Sequence, residues 1–408
     1  MRVVVIGAGK AGTEAAREAS RAGAEVTLVD SLRGPLSDWQ SWPDLIHDGF
    51  SAGRVPSPRS PAGVTCAFET RVTSLAGGAV TTVGGRKLVA DSLVLATGSG
   101  FEGAYFEGRS KPGVTILDSP EKYSALGRDM ASADAVVVSG EGGRGLQVAE
   151  KAAGRGRRVA LFISSWQHAA PGPLASRVLF DAAEQRGVSV RAGRVSRALG
   201  AVKLEAVLAQ GEVVPAGALA VAPRRTPRPV PGPAGVGKRG GVKVGLDLRT
   251  STPGILAAGG CAELSEGSPS SASLEDEQEP SGRTAGANAT GSKVAMPHAR
   301  RVSCSVFGLV WTCVGTGIAA ARAAGLEVDS VGERRDEVTS CALVYDRATG
   351  RVLGLEAVHE QRSCGVAIPG IAAPTTLRSL AYDGSLGSSD ISMVSETARL
   401  GLQAWSRS

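Results

Sequence analysis

Two stretches of the chain repeat one pattern, and together they restrict the fold more than any other feature. Residues 2–30 read R-V-V-V-I-G-A-G-K-A-G-T-E-A-A-R-E-A-S-R-A-G-A-E-V-T-L-V-D, and residues 135–163 read A-V-V-V-S-G-E-G-G-R-G-L-Q-V-A-E-K-A-A-G-R-G-R-R-V-A-L-F-I. In each, a β-branched run enters Gly-x-Gly-x-x-Gly, an Ala-rich helical segment follows, and a second apolar run closes the unit. The glycines are Gly7, Gly9 and Gly12 in the first copy and Gly140, Gly142 and Gly145 in the second. The first of each set permits a tight turn, the second lets backbone approach a pyrophosphate, and the third lets helix and strand pack closely. The free N–H groups and dipole at the helix start favour an anion. Asp30, just past the second strand, can accept hydrogen bonds from a ribose diol. Ile163 stands as far after Gly140 as Asp30 does after Gly7, so the second copy lacks that acid.

The expected architecture is therefore α/β, with two Rossmann-like dinucleotide-binding units. Bulk properties agree. At 408 residues, 42% apolar and 21% charged, the chain can bury a full core in two or three domains. The net charge of +6 is spread thinly, and its densest clusters are Arg155/Arg157/Arg158, Arg224/Arg225/Arg228 and Arg300/Arg301. They lack interleaved aromatics and read as solvated faces, so no nucleic-acid partner is expected. No apolar run reaches the ~18 residues of a membrane span, and the N-terminus opens on a strand, not a signal peptide. A cytoplasmic protein is expected. Cysteines at 66, 261, 304, 313, 341 and 364 show no C-x-x-C and no metal spacing, and read as buried reduced thiols.

Further motifs follow in a telling order. D-S-L-V-L-A-T-G-S (91–99) is a strand ending at Thr97-Gly98, and L-R-T-S-T-P-G-I-L-A-A-G-G-C-A-E (248–263) is a strand entering another glycine turn. S-G-R-T-A-G-A-N-A-T-G (281–291) reads as a helix after that turn, and A-L-V-Y-D-R-A-T-G-R-V-L-G (342–354) as a hairpin. In this order the chain resembles the pyridine nucleotide–disulfide oxidoreductase family, most of all its dihydrolipoamide dehydrogenase and mercuric reductase branch. The resemblance implies FAD in the first site, NAD(P)H in the second, and a homodimer closed by a C-terminal α+β dimerisation domain. The implied segments are 1–108 and 224–294 for FAD, 109–223 for NAD(P), and 295–408 for the interface.

The pattern breaks at one place. Where the family carries G-G-x-C-x-x-x-x-C-x-P-S-K, this chain has R-G-P-L-S-D-W-Q-S-W-P-D-L (33–45), which puts Leu36 and Ser41 on the two cysteines and Leu45 on the lysine. No cysteine precedes Cys66. The family's C-terminal H-P-T-L-S-E becomes I-S-M-V-S-E (391–396), with Ile391 in place of the histidine, and Gln147 replaces a glutamate common near the nicotinamide. Thiol–disulfide exchange needs a thiolate and a nearby acid/base, so disulfide reduction by the family's mechanism is excluded, and no catalytic residue is assigned. Trp39 and Trp42 either fill the volume left by the lost motif or line a pocket for a planar acceptor. His47 reads as a surface histidine.

By the resemblance, Gly7, Gly9, Gly12, Asp30, Thr97, Gly98, Gly259 and Gly260 would contact FAD, and Gly140, Gly142 and Gly145 the nicotinamide nucleotide. Gly260 stands where the family has an aspartate for the ribityl chain. Ile163 weakens the case for NAD, while Ser164, Ser165, Arg144, Arg157 and Arg158 are candidate partners of a 2′-phosphate. The leading expectation is an FAD-dependent NAD(P)H oxidoreductase serving a small-molecule or quinone-like acceptor. A catalytically silent partner subunit and an electron-transfer flavoprotein serving ferredoxin or a quinone are the rivals. No metal site is expected.

Overall fold

Continuous apolar runs such as Val3–Ile6 cannot sit on a half-exposed strand, and they are buried on both faces of parallel sheets. The computed structural model describes residues 1–35, 39–46, 60–76, 78–166, 170–264, 277–296, 301–360, 375–382 and 389–406. The chain forms two compact units: Met1–Ser41 with Gly53–Glu102 and Arg225–Pro297, and Trp42–Ala52 with Gly103–Arg224 and His298–Ser408.

In the first unit, five strands form a parallel sheet in the spatial order Ile255–Ala257, Ser92–Leu95, Arg2–Ile6, Glu25–Val29, Thr65–Ala67. The helices Lys10–Arg21 and Gln278–Ala289 pack against each other beside it. Their approach is backbone to backbone. A methyl group at Gly282 would lie 2.3 Å from the Ala11 carbonyl oxygen, and one at Gly286 would lie 2.4 Å from that of Ala15. The small-residue run of 281–291 is thus a packing face. The segment Gly53–Glu102 ends, and Arg225–Pro297 begins, on one antiparallel pair, Ser99–Phe101 against Arg225–Pro227.

The second unit holds another five-stranded parallel sheet, in the order Val188–Ala192, Arg158–Ser165, Ala135–Glu141, Ala218–Ala222, Val114–Ile116. It also holds a five-stranded antiparallel sheet, Arg301–Val306, Leu309–Gly315, Val352–Glu360, Ser340–Asp346, Val328–Arg334, with the helix Ser389–Trp405 packed on it. The hairpin expected at 342–354 is the pair Ser340–Asp346 and Val352–Glu360. No helix among the described residues is long and apolar enough to cross a membrane. Buried Glu356 on the antiparallel sheet accepts a hydrogen bond from the Gly172 amide at 2.6 Å, at the start of the helix Pro173–Glu184. Burial pushes its carboxyl above the ordinary range against the pull of that amide.

Gly286→Ala is expected to destabilise the first unit by about 1–3 kcal/mol through overpacking, read as an earlier thermal transition; an unmoved transition would show that the helices can part freely. A carboxyl with a raised folded-state pKa binds its proton more tightly in the native chain. Its contribution is full below the unfolded value of ~4.3 and is lost as pH rises through the higher folded value. Glu356→Gln therefore gains relative to wild type as pH climbs from about 4, and melting curves from acid to neutral pH check this.

Candidate dinucleotide sites

The first glycine loop lies at the carboxyl ends of the strands, where open α/β sheets bind ligands. Gly7 has φ +105°, and a methyl there would meet the Ala96 carbonyl oxygen at 2.2 Å. A methyl on Gly12 would meet the Gly7 carbonyl oxygen at 1.7 Å, whereas one on Gly9 would meet nothing within 4 Å. The three glycines thus divide the work into turn, helix–strand packing and an open face. Gly9 is the N-cap of Lys10–Arg21, and no side chain caps that helix start. Asp30 turns its carboxylate toward the loop, accepting from the Ala8 amide at 2.6 Å and from the Leu32 amide at 2.8 Å.

A cleft of about 230 Å³ brings these pieces together with both later motifs. Gly7, Gly9, Asp30, Thr97, Gly98, Gly259 and Gly260 all line it, while Gly12 does not. Thr97 donates its hydroxyl to the Arg228 carbonyl at 2.5 Å, and Ser281 accepts from the Gly259 amide at 3.0 Å. A side chain beginning at Gly260 would start 2.9 Å from the Ser99 hydroxyl oxygen.

Lys10, Ser99, Arg225, Arg228 and Gln278 also line the cleft, and none was singled out from the sequence as a site residue. Arg225 corrects the reading of its cluster as a solvated face. It is 7% exposed, donates Nε to the Ser99 hydroxyl at 3.0 Å and lies 5.0 Å from the Phe101 ring centroid. The signal was positional: Arg225 opens the strand on which the chain returns to this unit. With Lys10 and Arg228 it gives the cleft a positive lining suited to a pyrophosphate. Cys261, behind the second motif, is fully buried, and burial pushes its thiol up; it is an inert core thiol, not a nucleophile. Cys66 and Cys304 are only half-buried, which corrects the expectation of burial for those two.

The second glycine loop has the same frame and a different occupant. Gly140 has φ +140°, and a methyl there would meet the Ala222 carbonyl oxygen at 2.0 Å. Gly145 approaches Leu161, with 2.9 Å left for a methyl. The residue between the first two glycines, Glu141, is the N-cap of Gly142–Ala153, and its carboxylate accepts from the amides of Gly143 at 2.9 Å and Arg144 at 3.0 Å. Arg144 does not turn toward a ribose phosphate. It is buried, pairs with Glu141 at 3.8 Å and donates to the Pro223 carbonyl. Gly142 is covered by an indole, since a methyl there would meet Trp166 ring carbons at 2.6 Å. Arg157 and Arg158 sit at or before the start of the strand Arg158–Ser165, about 16 Å of extended chain from Ile163, so the geometry removes both as partners of a 2′-phosphate. Ser164 donates to the Gly140 carbonyl at 3.2 Å.

Trp42 is 5% exposed, with its ring edge-to-face on Tyr123 at 6.0 Å. Neighbouring Asp44 pairs with Lys151 at 2.9 Å. This placement makes Trp42 a core ring. The side chains of Trp39, Ser41 and Ile391, and all of Leu36 and His47, lie outside the described residues. Among the described residues no cluster of three or more His, Cys, Asp or Glu could hold a metal ion.

Two glycine-loop units on parallel sheets, the first opening into a positively lined cleft, define a two-dinucleotide oxidoreductase architecture. The family model "Pyridine nucleotide-disulphide oxidoreductase" matches residues 1–279, and the chain belongs to that family. It is an FAD-dependent pyridine nucleotide oxidoreductase, with FAD and NADH or NADPH as cofactors. It is 28% identical over 285 residues to a rubredoxin-NAD(+) reductase of Pseudomonas putida, covering 64% of this chain and 72% of that one. A rubredoxin-NAD(+) reductase of Ectopseudomonas oleovorans is 30% identical over 170 residues, covering 39% and 44%. Among solved structures it is similar in fold to a NAD-dependent persulfide reductase from A. fulgidus (TM-score 0.82, 22% identity, covering 100% of this chain and 84% of that one). The water-forming NADH oxidase from Lactobacillus brevis gives a TM-score of 0.83 at 18% identity, covering 100% and 99%.

Asp30→Ala removes two charge-assisted hydrogen bonds that set the first loop. It is expected to weaken FAD retention by roughly ten- to a hundredfold, measured as flavin lost on dilution; retention equal to wild type would count against the cleft as the flavin site.

Proposed function

We propose that this chain passes reducing equivalents from NADH or NADPH to FAD, and onward to an acceptor other than a disulfide relayed by its own cysteines. The observation that carries this is the pairing of two glycine-loop units with an N-terminal segment in which no cysteine precedes Cys66. The residues at 1–108 and 224–294 hold FAD, those at 109–223 take the nicotinamide nucleotide, and those at 295–408 close a homodimer. When bound, the two cofactors supply the hydride chemistry, and the protein supplies position and field. Gly9 leaves the first helix start open to a phosphate, and Asp30 faces the ribose end of the same cleft. Arg225, held by Ser99 and Phe101, keeps a fixed positive charge in its wall. The five cysteines among the described residues are all free, which fits a reducing, cytoplasmic setting.

The acceptor is a small molecule or quinone. The likeness to rubredoxin-NAD(+) reductases favours a second reading, a small redox protein as acceptor. The test is a visible spectrum of the purified protein, then anaerobic NADH or NADPH. Bands near ~370 and ~450 nm that bleach are expected, and a sample that stays colourless with added FAD would overturn the proposal. Reduction of a protein acceptor falls steeply with ionic strength, and that of a small neutral acceptor does not.

A further inference from the structure

The two glycine loops differ at the start of their helices, and the difference bears on how the second one takes its ligand. In the first, the helix begins three residues after Gly7, and its N-cap Gly9 has no side chain to offer. In the second, the helix begins two residues after Gly140, directly from the strand, and Glu141 ends the strand and caps the helix at once. The strand register shifts between Gly140 and Glu141, at the helix start that the Glu141 carboxylate caps. Both of its oxygens are used, one on the Gly143 amide and one on the Arg144 amide. These are the N–H groups that a dinucleotide's pyrophosphate seeks at such a loop. Trp166 lies against Gly142, the glycine whose bare Cα lets a pyrophosphate come close.

We propose that Glu141 is an internal competitor for the pyridine nucleotide: its carboxylate holds the helix start in a self-capped state, with Trp166 closed over Gly142, and the dinucleotide binds by displacing both. The proposal rests on the reading that the second unit takes NADH or NADPH. A tethered anion competes at high effective concentration, and its charge repels an incoming pyrophosphate. Displacement exchanges one anion for another at the same amides. Arg144 stays in place through it, because the guanidinium is anchored on the Pro223 carbonyl as well as on Glu141. Its positive charge, neutralised by Glu141 in the closed loop, then serves the phosphates. The carboxylate thus sets the affinity of this site, and the indole reports its opening.

The experiment uses the FAD-loaded protein and three probes: NADH, NADPH and ADP-ribose, which carries the pyrophosphate without the nicotinamide. Glu141→Ser keeps a good helix cap without the charge, and Glu141→Asp keeps the charge. Calorimetric titration is expected to show Glu141→Ser binding all three roughly tenfold more tightly than wild type, given the worth of a charge at a partly buried helix end. Glu141→Asp should show no such gain. ADP-ribose should change tryptophan emission in wild type, and Trp166→Phe should abolish most of that change. An affinity gain in Glu141→Ser below about threefold, with wild type binding normally, would overturn the competitor role and leave the nucleotide reading standing. Failure of both wild type and Glu141→Ser to bind any of the three probes would overturn that reading and the proposal with it. Glu141→Ala adds a stability readout: it should melt earlier than wild type, because Arg144 loses a buried partner, and gain more from added NADH. An equal gain in both proteins would also overturn the proposal.

Discussion

The free N–H groups at the start of a helix can satisfy one anion at a time, and both halves of this protein are arranged around which anion that is. In the first unit no side chain competes. The strand stops at Ile6, three residues turn over a glycine with positive φ, and the helix opens with a bare cap facing a positively lined cleft. In the second unit the same glycine spacing carries a carboxylate on those amides, paired with a buried arginine. The two loops share a frame and differ in their electrostatics. Glu141, between Gly140 and Gly142, caps the second helix start where the first is left open by Gly9.

Backbone requirements were the most legible part of the sequence. Gly7, Gly12 and Gly140 stand where any side chain would strike a carbonyl oxygen within 2.2 Å, and such positions announce themselves by residue type alone. The parallel strands were equally plain, because burial on both faces removes the alternation of a half-exposed strand. Asp30 draws the eye as a candidate ribose acceptor from its place past a strand; what the structure shows is its carboxylate bracing the loop through the Ala8 amide.

Side chains whose environment is set by distant partners were not legible. Arg225 resembled its solvated neighbours until the pairing of Arg225–Pro227 with Ser99–Phe101 placed it under Phe101 and against Ser99. Trp166 lies beyond the strand that closes the second unit, and nothing local signals that its ring covers Gly142. Trp42 sits in a motif position that suggested a ligand pocket, yet its ring packs on Tyr123. Spacing shows what a backbone must do, but only tertiary contacts decide where a long side chain ends.

The way the first unit is divided along the chain affects its assembly during synthesis. The helix Lys10–Arg21 is made well before the surface it packs on, Gln278–Ala289. At 5–20 residues per second, the early helix waits on the order of 15–60 s with its inner face uncovered. Where the two backbones meet, that face is built from small residues such as Ala11 and Ala15, which offer little apolar area for unwanted association. The small residues that let two backbones meet in the finished unit therefore also keep the unfinished one from sticking to its neighbours on the ribosome.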